Sequence, residues 1–206
     1  SWLNSGGMVE LLNAFDHVFL ECEVETDNVN STSEWQSAAI ELVRSIRSVG
    51  HKHPIKVGAP LGGRQVKYPL AGGKTVLEAD PLKNTLFTWQ AYWKQATSTG
   101  WSYQSDNGFR TGIEGTKEAL AACANSGLCF IPGFDWRDDV GPTGVLELMA
   151  HAHTLGLSYQ FWVLFGDGMY PENNMLGHWN LSPGSITPSG AAVQKALLAQ
   201  RQFAIL

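Results

Sequence analysis

The chain has 206 residues with an apolar fraction of 44%, which is enough for one globular domain with a sizeable core. Its net charge of −5 excludes the basic surface that nucleic-acid-binding proteins need, so we expect no nucleic-acid partner. The sequence has no run of about 18 apolar residues, so we expect no membrane partner either. The first residues include neither an initiator Met nor a signal peptide, and we expect a processed or excised chain.

The first predicted strand covers residues 17–25 and carries an unusual row of carboxylates. Side chains alternate between the two faces of a strand, so one face carries Phe19, Glu21, Glu23 and Glu25. Such a face is not an ordinary core, because burying unpaired charge costs several kcal/mol or shifts pKa values. Two interpretations stay open: the inner face of a barrel near its open end, and an edge strand with one solvated face.

Helices and strands alternate along the rest of the chain. We predict a helix over 34–49, a strand over 54–59, a Gly-rich loop over 62–73, a short helix near 76–79, a strand over 84–92, a long aromatic loop, a helix over 114–125, a strand over 128–135, a helix over 142–154, a strand over 157–165 and a closing helix over 188–203. This order predicts an α/β fold with a parallel sheet. A doubly wound sheet ranks second, because no Gly-rich phosphate loop follows residue 25. A complete eight-stranded barrel typically needs about 250 residues, so we expect a partial, TIM-barrel-like arrangement of about five β/α units.

Five segments resemble, in order, the fourth to eighth strands of family 5 glycoside hydrolases, especially the bacterial β-mannanases and endoglucanases. They are Val18–Glu25, Pro54–Pro60, Glu78–Tyr92, Leu128–Trp136 and Gln160–Trp162, and Ile186–Gly190 resembles the segment before the family's last helix. The resemblance implies a single barrel module over residues 1–206, either a fragment of a larger chain or part of an assembly. It also implies an extracellular protein that takes β-1,4-linked polysaccharide, mannan or glucan, without a cofactor or metal.

The resemblance also identifies candidate catalytic residues. Glu25 stands at the position of the family's general acid/base, and Glu21 matches a position that is often Glu. Gly133 stands where the nucleophile belongs, so the resemblance implies weak or lost catalysis. Asp135 follows two residues later and would face the same way, about 6 to 7 Å further along the strand. That spacing suits an inverting pair, whose carboxylates lie about 6.5 to 9.5 Å apart, rather than a retaining pair at about 5 to 5.5 Å. The alternatives are a solvated loop carboxylate at Asp135 and an inherited, non-catalytic Glu25.

The candidate substrate-binding residues are mostly aromatic. Trp162 corresponds to the Trp that lies under the sugar in the family, Tyr92 keeps the family's Tyr, and Gln90 replaces its His. Trp93 and Trp136 lie at the predicted carboxyl ends of strands, the functional face of such barrels. Core packing explains each loop Trp equally well.

Three functions remain open at this point. They are a β-1,4-glycan hydrolase with rearranged carboxylates, a non-catalytic carbohydrate-binding module, and a structural or assembly domain that reuses the fold. A sheet of five units leaves two unpaired edges, which are an aggregation hazard. We therefore predict that a partner chain or a missing segment completes the barrel.

Overall fold

The computed structural model describes residues 7–21, 29–91, 94–97, 100–103, 109, 112–135, 141–162, 191–195 and 198. The helices are α1 (Met8–Asn13), α2 (Thr32–Ser48), α3 (Pro60–Gly63), α4 (Lys67–Ala79), α5 (Gly112–Asn125) and α6 (Gly141–Thr154). The strands are β1 (Leu20–Glu21), β2 (Ile55–Gly58), β3 (Thr85–Gln90), β4 (Lys94–Thr97), β5 (Gly100–Tyr103), β6 (Phe130–Asp135) and β7 (Gln160–Trp162). Residues 191–195 are also helical, within the predicted closing helix.

The main sheet has the strand order β1-β2-β3-β6-β7. Its registered pairs are parallel, with Leu20 opposite Ile55, Ile55 opposite Thr85 and Gly133 opposite Gln160. Among the described strands of this sheet, each connection contains a helix, as parallel neighbours require. The predicted parallel α/β fold is therefore confirmed.

The chain divides into two compact units, Ser1–Trp89 with Asn125–Ile131, and Gln90–Ala124 with Pro132–Leu206. In the first unit, one face of the sheet packs on helices. Ile55, Val57 and Phe87 on this face are completely buried, and the ring of Phe87 lies 6.1 Å from that of Trp35 on α2. Trp35 also donates a hydrogen bond from its indole Nε1 to the carbonyl oxygen of Gly58 at 3.0 Å. This indole therefore joins α2 to the end of β2.

Helix α2 forms where the sequence predicts it, and local signals explain its start. The hydroxyl oxygen of Ser31 accepts a hydrogen bond from the backbone N–H of Glu34, and the Glu34 carboxylate accepts one from the backbone N–H of Asn30. This reciprocal capping satisfies amide groups that a helix start leaves unpaired. The buried residues follow at helical spacing: Trp35, Ala39, Val43 and Ile46.

The predicted Gly-rich loop over 62–73 is wrong in its second half, because α4 already begins at Lys67. Gly72 and Gly73 lie inside this helix, where close packing rather than a turn explains them. A Cβ atom on Gly72 would come within 3.2 Å of the Trp35 ring, and one on Gly73 within 2.8 Å of Leu128. The helix accepts the low propensity of glycine because larger residues would not fit at this distance.

A buried ion pair joins the segments at the amino ends of β2 and β3. Arg47 on α2 contacts Asp80 through two hydrogen bonds, Nε to Oδ1 at 2.8 Å and Nη2 to Oδ2 at 2.9 Å. Its Nη1 donates to the carbonyl oxygens of His51 and His53, in the segment that leads into β2. This arrangement belongs to the end of a β/α sheet that supports stability rather than chemistry.

The Asp80 carboxylate is held in its charged form by donors on every side. Burial by itself would raise its pKa, but hydrogen bonds from the Arg47 side chain, the Leu82 N–H, the Thr85 hydroxyl and the Asn84 N–H together lower that pKa from 3.8 to about 2. The side chain is completely buried. Hydrogen bonding to the ionised form therefore outweighs desolvation.

In the second unit, β6 and β7 pair in parallel and the Phe134 ring packs on Tyr159 at 5.7 Å. Lys117 on α5 bridges Glu114 and Glu147, and the latter lies on α6. The long loop predicted after β3 is wrong for part of its length, since β4 and β5 form an antiparallel hairpin with Thr97 opposite Gly100. Trp101 and Tyr103 in β5 are residue types that favour strands.

Candidate functional site

The predicted site residues that the structure describes form two groups: Gln90, Asp135 and Trp162 end their strands, whereas Glu21 pairs with Lys56, the second residue of β2. One group belongs to the first unit and is built on β1 and β2. The other belongs to the second unit and is built on Gln90, β6 and β7. Carboxyl ends of strands carry the functional groups in parallel β/α folds.

The alternation predicted for the first strand is observed where the strand is described. Leu20 is buried, whereas Phe19 and Glu21 on either side of it are exposed. Glu21 therefore lies on the face of the sheet opposite the helices. Glu23 and the predicted acid/base Glu25 lie outside the described residues.

Glu21 forms an ion pair that the sequence analysis did not predict. Its Oε2 lies 2.7 Å from the Nζ of Lys56, which is the residue directly opposite it on β2. The Lys56 side chain is 8% exposed, whereas that of Glu21 is 35% exposed. The pair thus has a buried cation and a carboxylate that reaches solvent.

Lys56 could have been found from the sequence by one signal. It interrupts Ile55 and Val57, both completely buried, and a charged residue inside so apolar a strand is rarely buried without a partner. What the sequence could not supply was the partner, because Glu21 lies far away along the chain. Only the parallel register places the two residues side by side.

In the second unit, the backbone brings Gln90 and Trp162 next to β6, the strand that carries Gly133 at the predicted nucleophile position and Asp135 two residues later. The Ala91 N–H, next to Gln90, donates a hydrogen bond to the carbonyl oxygen of Gly133 at 2.7 Å. Two residues further along β6, Asp135 is the register partner of Trp162 on β7. Gln90 is half-buried at the end of β3.

This register makes the backbones of Asp135 and Trp162 neighbours at the ends of adjacent strands. Tyr92, Trp93 and Trp136 lie outside the described residues.

Within the described ranges, no group of three or more His, Cys, Asp or Glu side chains could hold a metal ion. No helix in that part of the chain is long and apolar enough to cross a membrane.

Comparison with solved structures identifies the fold. The structure is similar to the catalytic domain of a mannanase from Streptomyces sp. SirexAA-E, with a TM-score of 0.70 and 20% identity over 92% of this chain. It is similar to the β-mannanase of Thermomonospora fusca, solved with mannotriose, with a TM-score of 0.57 and 25% identity over 77% of this chain. XacCel5A, solved with cellopentaose, matches 92% of this chain with a TM-score of 0.67 and 15% identity.

These similarities confirm the predicted resemblance to family 5 glycoside hydrolases at the level of the fold, which is α/β and partial TIM-barrel-like. The chain spans 56%, 47% and 62% of the length of these three solved structures. No protein-family model matches the chain. No curated protein sequence matches it either.

Proposed function

We propose that this chain is a family-5-like glycosidase module that binds β-1,4-linked polysaccharide, mannan or glucan, with weak or lost catalysis. The observation that carries the proposal is the fold shared with mannanases and with XacCel5A, including structures solved with mannotriose, mannohexaose and cellopentaose. Fold alone does not determine function, and the residues at the site decide the chemistry.

The expected loss of catalysis rests on one position. Gly133, in β6, stands where the resemblance requires a carboxylate nucleophile. Glycine has no side chain, so a covalent glycosyl intermediate cannot form there. Asp135 is the nearest carboxylate along the strand, and with Glu25 as general acid it could support only an inverting reaction, which needs room for a water molecule.

The proposed sugar-binding residues are Glu21, Gln90, Tyr92, Trp93, Trp136 and Trp162. Glu21 and Gln90 supply polar groups for sugar hydroxyls, and the aromatic residues supply flat faces for sugar rings. The backbone register of Asp135 with Trp162 supports a site that uses both residues.

Two assays with one variant test the proposal. Oligosaccharide release from β-1,4-mannan and β-1,4-glucan is measured for the wild type and for Glu25→Gln, alongside calorimetric titration with mannohexaose and cellopentaose. We expect saturable binding with little or no release. A loss of catalysis through the nucleophile would reduce the rate by about 10⁶-fold, which sets the protein concentration that the assay requires.

Release that disappears in Glu25→Gln would establish an enzyme and contradict lost catalysis. In that case Asp135→Asn tests the second carboxylate, and unchanged release in this variant would exclude Asp135. Absence of both release and binding would leave the structural or assembly role.

The structural or assembly role is favoured by an exposed apolar surface on and after helix α1. Helix α1 has no buried residue, although Leu11 lies on it, and Leu11, Phe15 and Phe19 are each about half exposed. Among the described strands, β1 lies at an edge of the sheet, and an unpaired edge is an aggregation hazard. We propose that further β/α units, from a longer chain or a partner chain, complete the barrel and make residues 1–206 part of one module.

Light scattering at increasing protein concentration tests this completion. We expect self-association or aggregation of the isolated chain, which a Phe19→Lys exchange at the exposed face reduces. A stable monomer at every concentration would contradict it.

The extracellular location implied by the family resemblance remains part of the proposal, because polymeric glycans are too large to enter a cell.

A further inference from the structure

We propose that Arg64 is a specificity-determining residue that binds a carboxylate group carried by an acidic β-linked glycan, at the carboxyl end of β2. This role rests on the proposed function and adds the charge of the ligand to it. It uses none of the residues that the family resemblance assigns to catalysis or to sugar binding.

Arg64 lies in the turn that follows β2, at the end of the sheet where parallel β/α folds carry their functional groups. The residue directly after β2, Ala59, still donates a backbone hydrogen bond to the carbonyl oxygen of Thr88 on β3. The backbone N–H groups of Arg64 and Gln65 both donate to the carbonyl oxygen of Pro60 at 3.2 Å. The chain therefore turns tightly at the end of β2 and holds Arg64 there.

Two contacts within this turn fix the position of the guanidinium group. The Nε of Arg64 donates a hydrogen bond to the carbonyl oxygen of Leu61 at 3.3 Å. Its Nη2 lies against Gly62, where an added Cβ atom would be only 2.6 Å away from it. Among the described residues, no carboxylate pairs with the half-buried Arg64, and no acceptor contacts its Nη1 or Nη2. These two terminal amino groups are therefore oriented in advance and available to a ligand.

Stability does not explain the conformation of this turn. The short helix α3 is left-handed at Leu61, Gly62 and Gly63, with φ angles of 57°, 67° and 74°. This conformation is unfavourable for Leu61, which has a Cβ atom. Gln65 is 7% exposed, and no described residue donates a hydrogen bond to its buried Oε1, which is also unfavourable. Such costs cluster at functional sites, where the surrounding structure maintains them.

The charge around Arg64 indicates an anionic ligand group. From residue 57 to residue 77 the charged residues are Arg64, Lys67 and Lys74, all of them basic, although the whole chain has a net charge of −5. A guanidinium group presents its donors in a planar fork that matches a carboxylate, and this charge-assisted pair is stronger than hydrogen bonds between neutral groups. A polysaccharide carries carboxylates on its acidic sugar units. Arg64 therefore favours a β-linked glycan with acidic units over a neutral one.

The test compares cellopentaose with the β-1,4-linked pentamer of glucuronic acid, which has a carboxylate in place of each hydroxymethyl group. Calorimetric titration of the whole chain should show that the acidic pentamer binds roughly tenfold more tightly than cellopentaose. Arg64→Gln should abolish this preference and change the affinity for cellopentaose by less than about twofold. Arg64→Lys should keep part of the preference, because the charge remains and the planar fork is lost. Lys67→Gln, at an exposed lysine three residues further on, is the matched control and should keep the preference.

The outcomes separate this role from the proposed function. Equal binding of the two pentamers by the wild type would overturn the role of Arg64, and the proposed function would stand on the affinity for cellopentaose. Equal losses for both pentamers in Arg64→Gln would also overturn it, because Arg64 would then contact hydroxyl groups. A preference that survives Arg64→Gln, or that Lys67→Gln removes equally, would likewise overturn it and assign the preference to the basic charge of the whole segment.

Two further outcomes concern the proposed function itself. Binding of the acidic pentamer alone would support the role of Arg64 and contradict the binding of neutral glycans. Binding of neither pentamer, nor of mannohexaose, would contradict both. Thermal unfolding identifies a folding defect in Arg64→Gln, and Arg64→Met, which keeps the aliphatic stem of the side chain, then replaces it in the same titrations.

Discussion

Acidification is expected to destabilise the fold through the buried carboxylate of Asp80. Its pKa is lowered from 3.8 to about 2, mainly by the hydrogen bonds of Arg47, Leu82, Thr85 and Asn84, which outweigh the opposing effect of burial. A group whose pKa is depressed in the folded state stabilises that state when it is charged. The stabilisation is therefore complete above roughly pH 5 and is lost as the pH falls through about 2.

The magnitude follows from the two pKa values. Each pKa unit corresponds to about 1.4 kcal/mol, so lowering the pKa from 3.8 to about 2 contributes about 2 to 3 kcal/mol to the free energy of unfolding. Removing the charge outright is more severe. Asp80→Asn leaves Arg47 buried without its counter-charge, and breaking a buried pair in this way costs about 3–5 kcal/mol at neutral pH.

Urea unfolding between pH 2 and pH 6 tests this prediction. The free energy of unfolding of the wild type should fall about 2 kcal/mol further over this range than that of Asp80→Asn, because the variant lacks the titrating group. Glu78→Gln removes an exposed carboxylate from α4, the helix that ends just before Asp80, and we expect it to retain the wild-type pH dependence. Equal pH dependence in the wild type and Asp80→Asn would refute the reasoning.

Two further predictions concern packing in the first unit and are measured by the same urea unfolding. Trp35→Phe removes the hydrogen bond to the Gly58 carbonyl oxygen and should lower the free energy of unfolding by about 1–2 kcal/mol; an unchanged midpoint would mean that this bond adds nothing. Gly73→Ala would place a Cβ atom 2.8 Å from Leu128 and should destabilise by about 1–3 kcal/mol, although alanine favours helices. Lys74→Ala, at the exposed neighbouring position, should change little, and a similar loss in both variants would argue against the packing explanation.

The sequence by itself determined the class of fold, because periodicity is a local property. The apolar positions of α2 recur at helical spacing, and the alternation around Leu20 separates a buried from an exposed face. Five segments in family order then predicted a partial barrel, which the similar structures confirm. The same local reasoning assigned Gly72 to a loop, since a glycine in a turn and a glycine in a tight helix contact look alike in sequence.

The tertiary structure alone decided which residues meet. Glu21 and Lys56 belong to different strands, and their 2.7 Å contact exists only because Leu20 pairs with Ile55 in parallel register. A shift of one residue would turn each side chain to the opposite face and separate the pair. Asp135 is likewise opposite Trp162 only through the pairing of β6 with β7. Register depends on how helices and sheet pack together, and no local pattern in the chain encodes it.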